Sequence, residues 1–123
     1  MSMSKKVLVA DDDPAILDAI KMTLELEDYD VDVTVNGETI YKMEKVYPDL
    51  LLLDIWMSGQ DGRDICKYVK NNPHTKHIPI IMISASRDIM QSAREAGADD
   101  FIAKPFEIDD LLGIVAKYVG KAD

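Results

Sequence analysis

Apolar runs that close on an acid constrain this chain more than any other feature. Val7-Leu8-Val9-Ala10 runs directly into Asp11-Asp12-Asp13, and Leu50-Leu51-Leu52-Leu53 runs directly into Asp54. A short continuous apolar run predicts a parallel strand buried on both faces, because a half-exposed strand alternates with polar residues. Open α/β sheets bind ligands at the carboxyl ends of such strands, which is where both sets of acids fall.

Lys6 to Ala10 reads as the first strand, and Pro14 opens a helix that Asp13 is placed to cap. Ile16, Leu17, Ile20, Leu24 and Leu26 supply the apolar side of that helix. Val31, Val33 and Val35 alternate as an outer strand would, and Asn36-Gly37 turns the chain into a second helix through Ile40, Met43 and Val46, stopped by Pro48-Asp49. The leucine run at 50–53 is the most central strand by composition, followed by a loop through Ser58 and Gly59 and a third helix from about Asp61 to Lys70. Ile78 to Ile83 forms the fourth strand, with Pro79 confined to its start because proline cannot donate to a central ladder. A helix through Ile89, Ala93 and Ala96 ends at Gly97, Phe101-Ile102-Ala103 forms the fifth strand, and Ile108, Leu111, Leu112, Val115 and Val119 mark a last amphipathic helix. Five strand–helix units in strict alternation predict an α/β fold, a doubly wound five-stranded parallel sheet with helices on both faces.

At 123 residues the chain has the size of one domain. The sequence reads as a single domain over 1–123, its core over about 5–119, with no output domain. Fourteen Lys and Arg against 23 Asp and Glu give a net charge of -9, which repels phosphate backbones and anionic lipids, and no basic patch overrides it. No direct nucleic-acid partner and no membrane partner are therefore expected. No stretch approaches the ~18 apolar residues of a membrane span. The lone Cys66 excludes an intramolecular disulfide, so a cytoplasmic location is expected.

If the first and third strands are neighbours, Asp11, Asp12 and Asp54 share one pocket. At ~5 Å and an effective dielectric of ~20, each ionised pair repels by roughly 3 kcal/mol, so the cluster needs a cation or raised pKa values. Hard oxygen ligands without His or thiolate nearby in sequence favour Mg²⁺, with Mn²⁺ as a substitute. A carboxylate beside Mg²⁺ can attack phosphorus to give an aspartyl phosphate. Ser84 and Lys104, after the fourth and fifth strands, place a hydroxyl and an ammonium at the same edge.

Taken in order, Asp11-Asp12, Asp54-Ile55-Trp56-Met57-Ser58-Gly59-Gln60-Asp61-Gly62, Ser84-Ala85 and Lys104-Pro105-Phe106 resemble the receiver domain of two-component response regulators over essentially the whole chain. The resemblance implies a flavodoxin-like strand order of 2-1-3-4-5. It implies that Asp54 is the phosphoacceptor, and that Asp11, Asp12 and Asp54 hold Mg²⁺ with the Trp56 backbone carbonyl. Ser84 would bind a phosphoryl oxygen, Lys104 would pair with the phosphate, and Ser84 with Phe101 would form the switch. It also implies a cis bond at Pro105. A sensor histidine kinase or histidine phosphotransfer protein would donate the phosphoryl group, and a downstream protein target would read the result by altered contacts. The chain would promote its own phosphorylation and dephosphorylation without being a conventional turnover enzyme. Whether phosphorylation induces a homodimer is left open.

Three departures from the family pattern stand out: Ser58 in place of the usual proline, which predicts a less rigid loop, the large Trp56 two residues after Asp54, and a slightly short Ser84-to-Gly97 segment. A haloacid-dehalogenase-like phosphohydrolase would carry a second Asp where Trp56 stands, and neither a dinucleotide nor a P-loop glycine pattern is present. The alternatives that remain are a phosphate-independent interaction domain and a receiver fragment of a larger regulator or hybrid kinase.

Overall fold

The computed structural model describes residues 4–44, 46–57 and 59–120. In chain order its elements begin with β1 (Lys6–Ala10), α1 (Pro14–Leu26), β2 (Asp30–Thr34), α2 (Glu38–Tyr41) and β3 (Leu50–Asp54). A small antiparallel ribbon, β4 (Trp56–Met57) and β5 (Gln60–Asp61), leads directly into α3 (Gly62–Asn71). The chain finishes with β6 (Ile80–Ser84), α4 (Ile89–Ala96), β7 (Asp100–Ala103) and α5 (Ile108–Val119). The main sheet is parallel, in the order β2-β1-β3-β6-β7, which is the expected 2-1-3-4-5 once the two ribbon strands are set aside.

Leucine at each position from 50 to 53 makes β3 the centre of that sheet, and all four are 0% exposed. Burying each is worth roughly 1.5–3 kcal/mol. Alternation sends successive side chains to opposite faces. Val7, Val9, Leu50, Leu52, Ile81 and Ile83 pack against Leu17, Ile20 and Leu24 of α1 and Leu111 and Val115 of α5. Leu8, Ala10, Leu51, Leu53, Ile80 and Met82 pack on the other face, against α2, α3 and α4.

Local signals explain most of the boundaries. Asp13 accepts the Ala15 N–H at 2.9 Å, capping α1 ahead of Pro14. Asp61 caps α3 in the same way, through the Arg63 N–H at 2.9 Å. Gly97 closes α4 in the left-handed region, with φ of 85°. Pro79 stands just before β6, where its carbonyl still accepts the Leu51 N–H at 3.0 Å.

Some helical expectations are corrected. The second helix does not run through Met43 and Val46; α2 is a single turn anchored by the buried Ile40. Val46 is 66% exposed and has no core to enter, and Tyr47 precedes Pro48, a position that disfavours helix. Leu26 and Ile108, counted as apolar faces, are 78% and 59% exposed; Leu26 shares the solvent face of α1 with Met22, away from the buried Leu24. Val35 lies beyond the end of β2. Ser58 falls outside the described residues. Among the described residues no helix is long and apolar enough to cross a membrane.

Candidate functional site

Because β1 and β3 are hydrogen-bonded neighbours, the residue after β1 and the last residue of β3 leave the sheet side by side. Asp11 is wholly buried there, Asp54 is 7% exposed, and Asp12 faces solvent. One carboxylate oxygen from each of the three lies within 4.8 Å of the others. At that spacing each ionised pair repels by about 3 kcal/mol for an effective dielectric of ~20.

Lys104 enters this cluster from the far side. Its backbone N–H bonds to the Ser84 carbonyl at 2.9 Å, extending the β6–β7 ladder by one step. Its ammonium donates to Asp11 Oδ2 at 2.8 Å and stands 3.7 Å from Asp54 Oδ2. The second Asp11 oxygen accepts the Asp13 N–H at 3.0 Å. The peptide bond from Lys104 to Pro105 is cis. Three carboxylates against one ammonium leave two negative charges, which a divalent cation would neutralise.

Burial pushes the Asp54 carboxyl up, and the Asp11 charge pushes it further. The Lys104 ammonium and the Trp56 backbone N–H pull it down, and the balance leaves it at about 6. For Lys104, burial opposes the charged form, but the Asp11 hydrogen bond and the charges of Asp54, Asp11 and Asp12 outweigh it and raise the ammonium pKa. The donors present are hard oxygens, one of them wholly buried, and suit Mg²⁺ better than a soft metal.

The other residues singled out from the sequence lie on β4, β6 and β7. Ser84 ends β6, one step past the Ile83 that pairs with Asp54, and its buried hydroxyl accepts the Ser86 N–H at 3.0 Å. Phe101 in β7 is half-buried against the α3–α4 side of the core. Together with Met90, Ala93 and Arg94 of α4 it lines a shallow cavity of about 170 Å³. Trp56 opens β4, two residues past Asp54, and is 59% exposed.

Two contributors were not found from the sequence. Gly62 presses its backbone on the phosphoacceptor segment: a methyl group there would sit 2.1 Å from the Asp54 carbonyl oxygen and 2.9 Å from the Ile55 Cα. Only glycine fits so close to another backbone. The second is Arg63, whose guanidinium grips Asp61 and lies 5.0 Å from the centre of the Trp56 ring. The Gly after Asp61 is a readable signal for the first, whereas the second arises from a two-residue ribbon with no periodicity to read.

A parallel sheet whose first and third strands end in acids, with a hydroxyl and a lysine on the next two strands, defines a receiver-type signalling domain. Residues 7–116 match the response regulator receiver domain, and the chain belongs to that family. It is 32% identical over 121 residues to the DNA-binding dual master transcriptional regulator RpaA of Synechocystis, covering 96% of this chain and 50% of that protein. It is 38% identical over 113 residues to the response regulator PleD of Caulobacter vibrioides, covering 89% of this chain and 24% of that protein. The chain thus spans half or less of the length of these relatives. Among solved structures, chemotaxis protein CheY4 of Vibrio cholerae superposes with a TM-score of 0.85 at 27% identity, covering 94% of this chain and 99% of that one. A CheY-like receiver domain protein of Methanospirillum hungatei gives 0.82 at 32% identity, covering 94% and 93%.

Proposed function

We propose that this receiver takes a phosphoryl group from a phosphohistidine donor onto Asp54 and signals by altered protein contacts. The observation that carries the reading is the buried Asp54 carboxylate, held beside two other acids and 3.7 Å from the Lys104 ammonium. An Asp54 oxygen attacks phosphorus, the P–N bond to the donor imidazole breaks, and an acyl phosphate remains on Asp54. Asp11, Asp12, Asp54 and the Trp56 carbonyl would hold Mg²⁺, which would neutralise charge on the transferring group. Lys104, already shared between Asp11 and Asp54, turns its ammonium to a phosphoryl oxygen. Ser84 gives up its bond from the Ser86 N–H and donates its hydroxyl to another.

Phe101 changes packing with Ser84 and transmits the state to the α4–β7 surface, the kind of two-state element that a local charge change can bias. The donor is a sensor histidine kinase or a histidine phosphotransfer protein, the reader a downstream protein, and the setting the cytoplasm. The domain occupies the whole chain, with no turnover of a diffusible substrate.

Incubation with acetyl phosphate or phosphoramidate and Mg²⁺, followed by intact-mass measurement, tests this reading. One phosphoryl adduct that disappears in Asp54→Asn and with EDTA is expected. Repeated failure of the wild type to take either phosphate or beryllofluoride would overturn the reading in favour of a phosphate-independent interaction domain.

A further inference from the structure

We propose that Arg63, the second residue of α3, is a positioning residue for the phosphorylation site and acts through Trp56; this inference rests on the receiver reading above. Trp56 occupies a critical place. It lies two residues past Asp54, where its backbone N–H favours the charged carboxylate, yet it is 59% exposed on a strand of two residues. A large side chain on so short a strand needs an outside partner to fix its rotamer.

Arg63 is that partner, and Asp61 aims it. The Arg63 Nε donates to both Asp61 oxygens at 3.0 and 3.1 Å, and Nη2 donates to Oδ2 at 2.7 Å. The same carboxylate accepts the Arg63 backbone N–H at 2.9 Å, and Asp61 is itself paired with Trp56 across the β4–β5 ribbon. The planar fork is thus fixed before it meets the indole, with its carbon 5.0 Å from the ring centroid. Lysine offers neither the flat face nor the two-pronged grip. The Asp61 hydrogen bonds and charge raise the guanidinium pKa, with Asp64 and then Asp88 adding to the effect. The ribbon that carries Trp56 follows directly on β3, so the stacked indole and guanidinium border the mouth over Asp54, the last residue of that strand. Arg63 holds the indole as one wall of that mouth and limits the entry of water to the acyl phosphate.

The test uses the whole chain, phosphorylated by phosphoramidate with Mg²⁺ and freed of donor, with decay followed by intact mass. Arg63→Met keeps the aliphatic stem and removes the cation. It should shorten the phosphate lifetime about two- to five-fold, the factor expected from losing an exposed cation–π contact. In a Trp56→Ala background the same change should have no further effect. Trp56 is the only tryptophan in the sequence, so its emission reports the stack directly and should shift in Arg63→Met. A lifetime equal to or longer than wild type overturns the proposal, as does equal shortening in both backgrounds. Should Arg63→Met not fold, Arg63→Gln takes its place with the same expectations. If the wild type forms no adduct, the receiver reading fails separately. A Mg²⁺ titration followed by Trp56 emission then decides: weaker binding in the variant supports the positioning role, and equal binding or no response overturns it.

Discussion

Two lysine–aspartate pairs of nearly equal length sit at opposite edges of the sheet and do different work. At the amino edge, Lys70 Nζ meets Asp99 Oδ2 at 2.7 Å, and at the carboxyl edge Lys104 Nζ meets Asp11 Oδ2 at 2.8 Å. Lys70 also donates to the Ile78 carbonyl at 2.8 Å, and Asp99 also accepts the Ile80 N–H at 2.8 Å. One cation and one anion are balanced there, and their remaining bonds stitch the end of α3 to the starts of β6 and β7. Lys104 instead faces three carboxylates, and burial together with the neighbouring Asp11 charge holds the Asp54 carboxyl at about 6. Bond length does not separate the two sites. Charge balance does: the balanced pair stabilises the fold, and the unbalanced one is left with an affinity for a cation.

The largest expected effect comes from removing the imbalance. Asp54→Asn should abolish Mg²⁺-dependent phosphorylation while making the metal-free protein more stable at pH 7. The native carboxyl titrates near 6 against an ordinary 3.8, so between about pH 4 and 6 the folded state binds more protons than the unfolded one. Stability falls with rising pH wherever that holds. A shift of about two pH units corresponds to roughly 3 kcal/mol, present below pH 4 and lost as pH rises through 6. Urea unfolding of wild type in EDTA should show that decline, Asp54→Asn should flatten it, and Mg²⁺ should reverse it. A wild-type profile equally flat over this window would contradict the contrast between the edges.

At the other edge the pattern should invert. Asp99→Ala strips the Ile80 N–H and the Lys70 ammonium of a shared acceptor, a loss of roughly 1–3 kcal/mol for partly buried groups. The urea midpoint should fall, and the initial rate of phosphorylation by acetyl phosphate, measured well below that midpoint, should stay the same. A matching collapse of phosphorylation would show that both edges form one cooperative unit.

What the sequence disclosed follows the same division. Strands buried on both faces were readable because Val7 to Ala10 and Leu50 to Leu53 are short unbroken apolar runs that end on acids, and those acids could be placed once the strands were neighbours. Helical spacing was less reliable where packing ends: Met43 and Val46 have the period of a longer α2, but Val46 finds no core to enter. The Lys104 ammonium was expected at the site, yet its bond to Asp11 depends on where the backbone step from Ser84 delivers it. Arg63 left no trace in the sequence because its role depends on a ribbon of two-residue strands, too short to show alternation.

A third pair of the same residue types sets the lower end of the scale. Lys117 Nζ lies 3.2 Å from Asp100 Oδ2, but its side chain is 65% exposed and water competes for it. Asp100 keeps other partners, the Phe101 N–H at 2.9 Å and the Tyr118 hydroxyl at 2.8 Å. Burial alone would raise its pKa, and these bonds together with Lys117 bring it below the usual carboxylate range. Lys117→Met therefore removes an exposed contact and leaves no buried group unsatisfied, so the stability change should stay within about 0.5 kcal/mol. At high salt the wild-type and variant urea midpoints should come closer still, because the exposed pair is then screened. A loss as large as that from Asp99→Ala would mean that Lys117 holds α5 against β7 near Phe101, and exposure would no longer be enough to rank the three pairs.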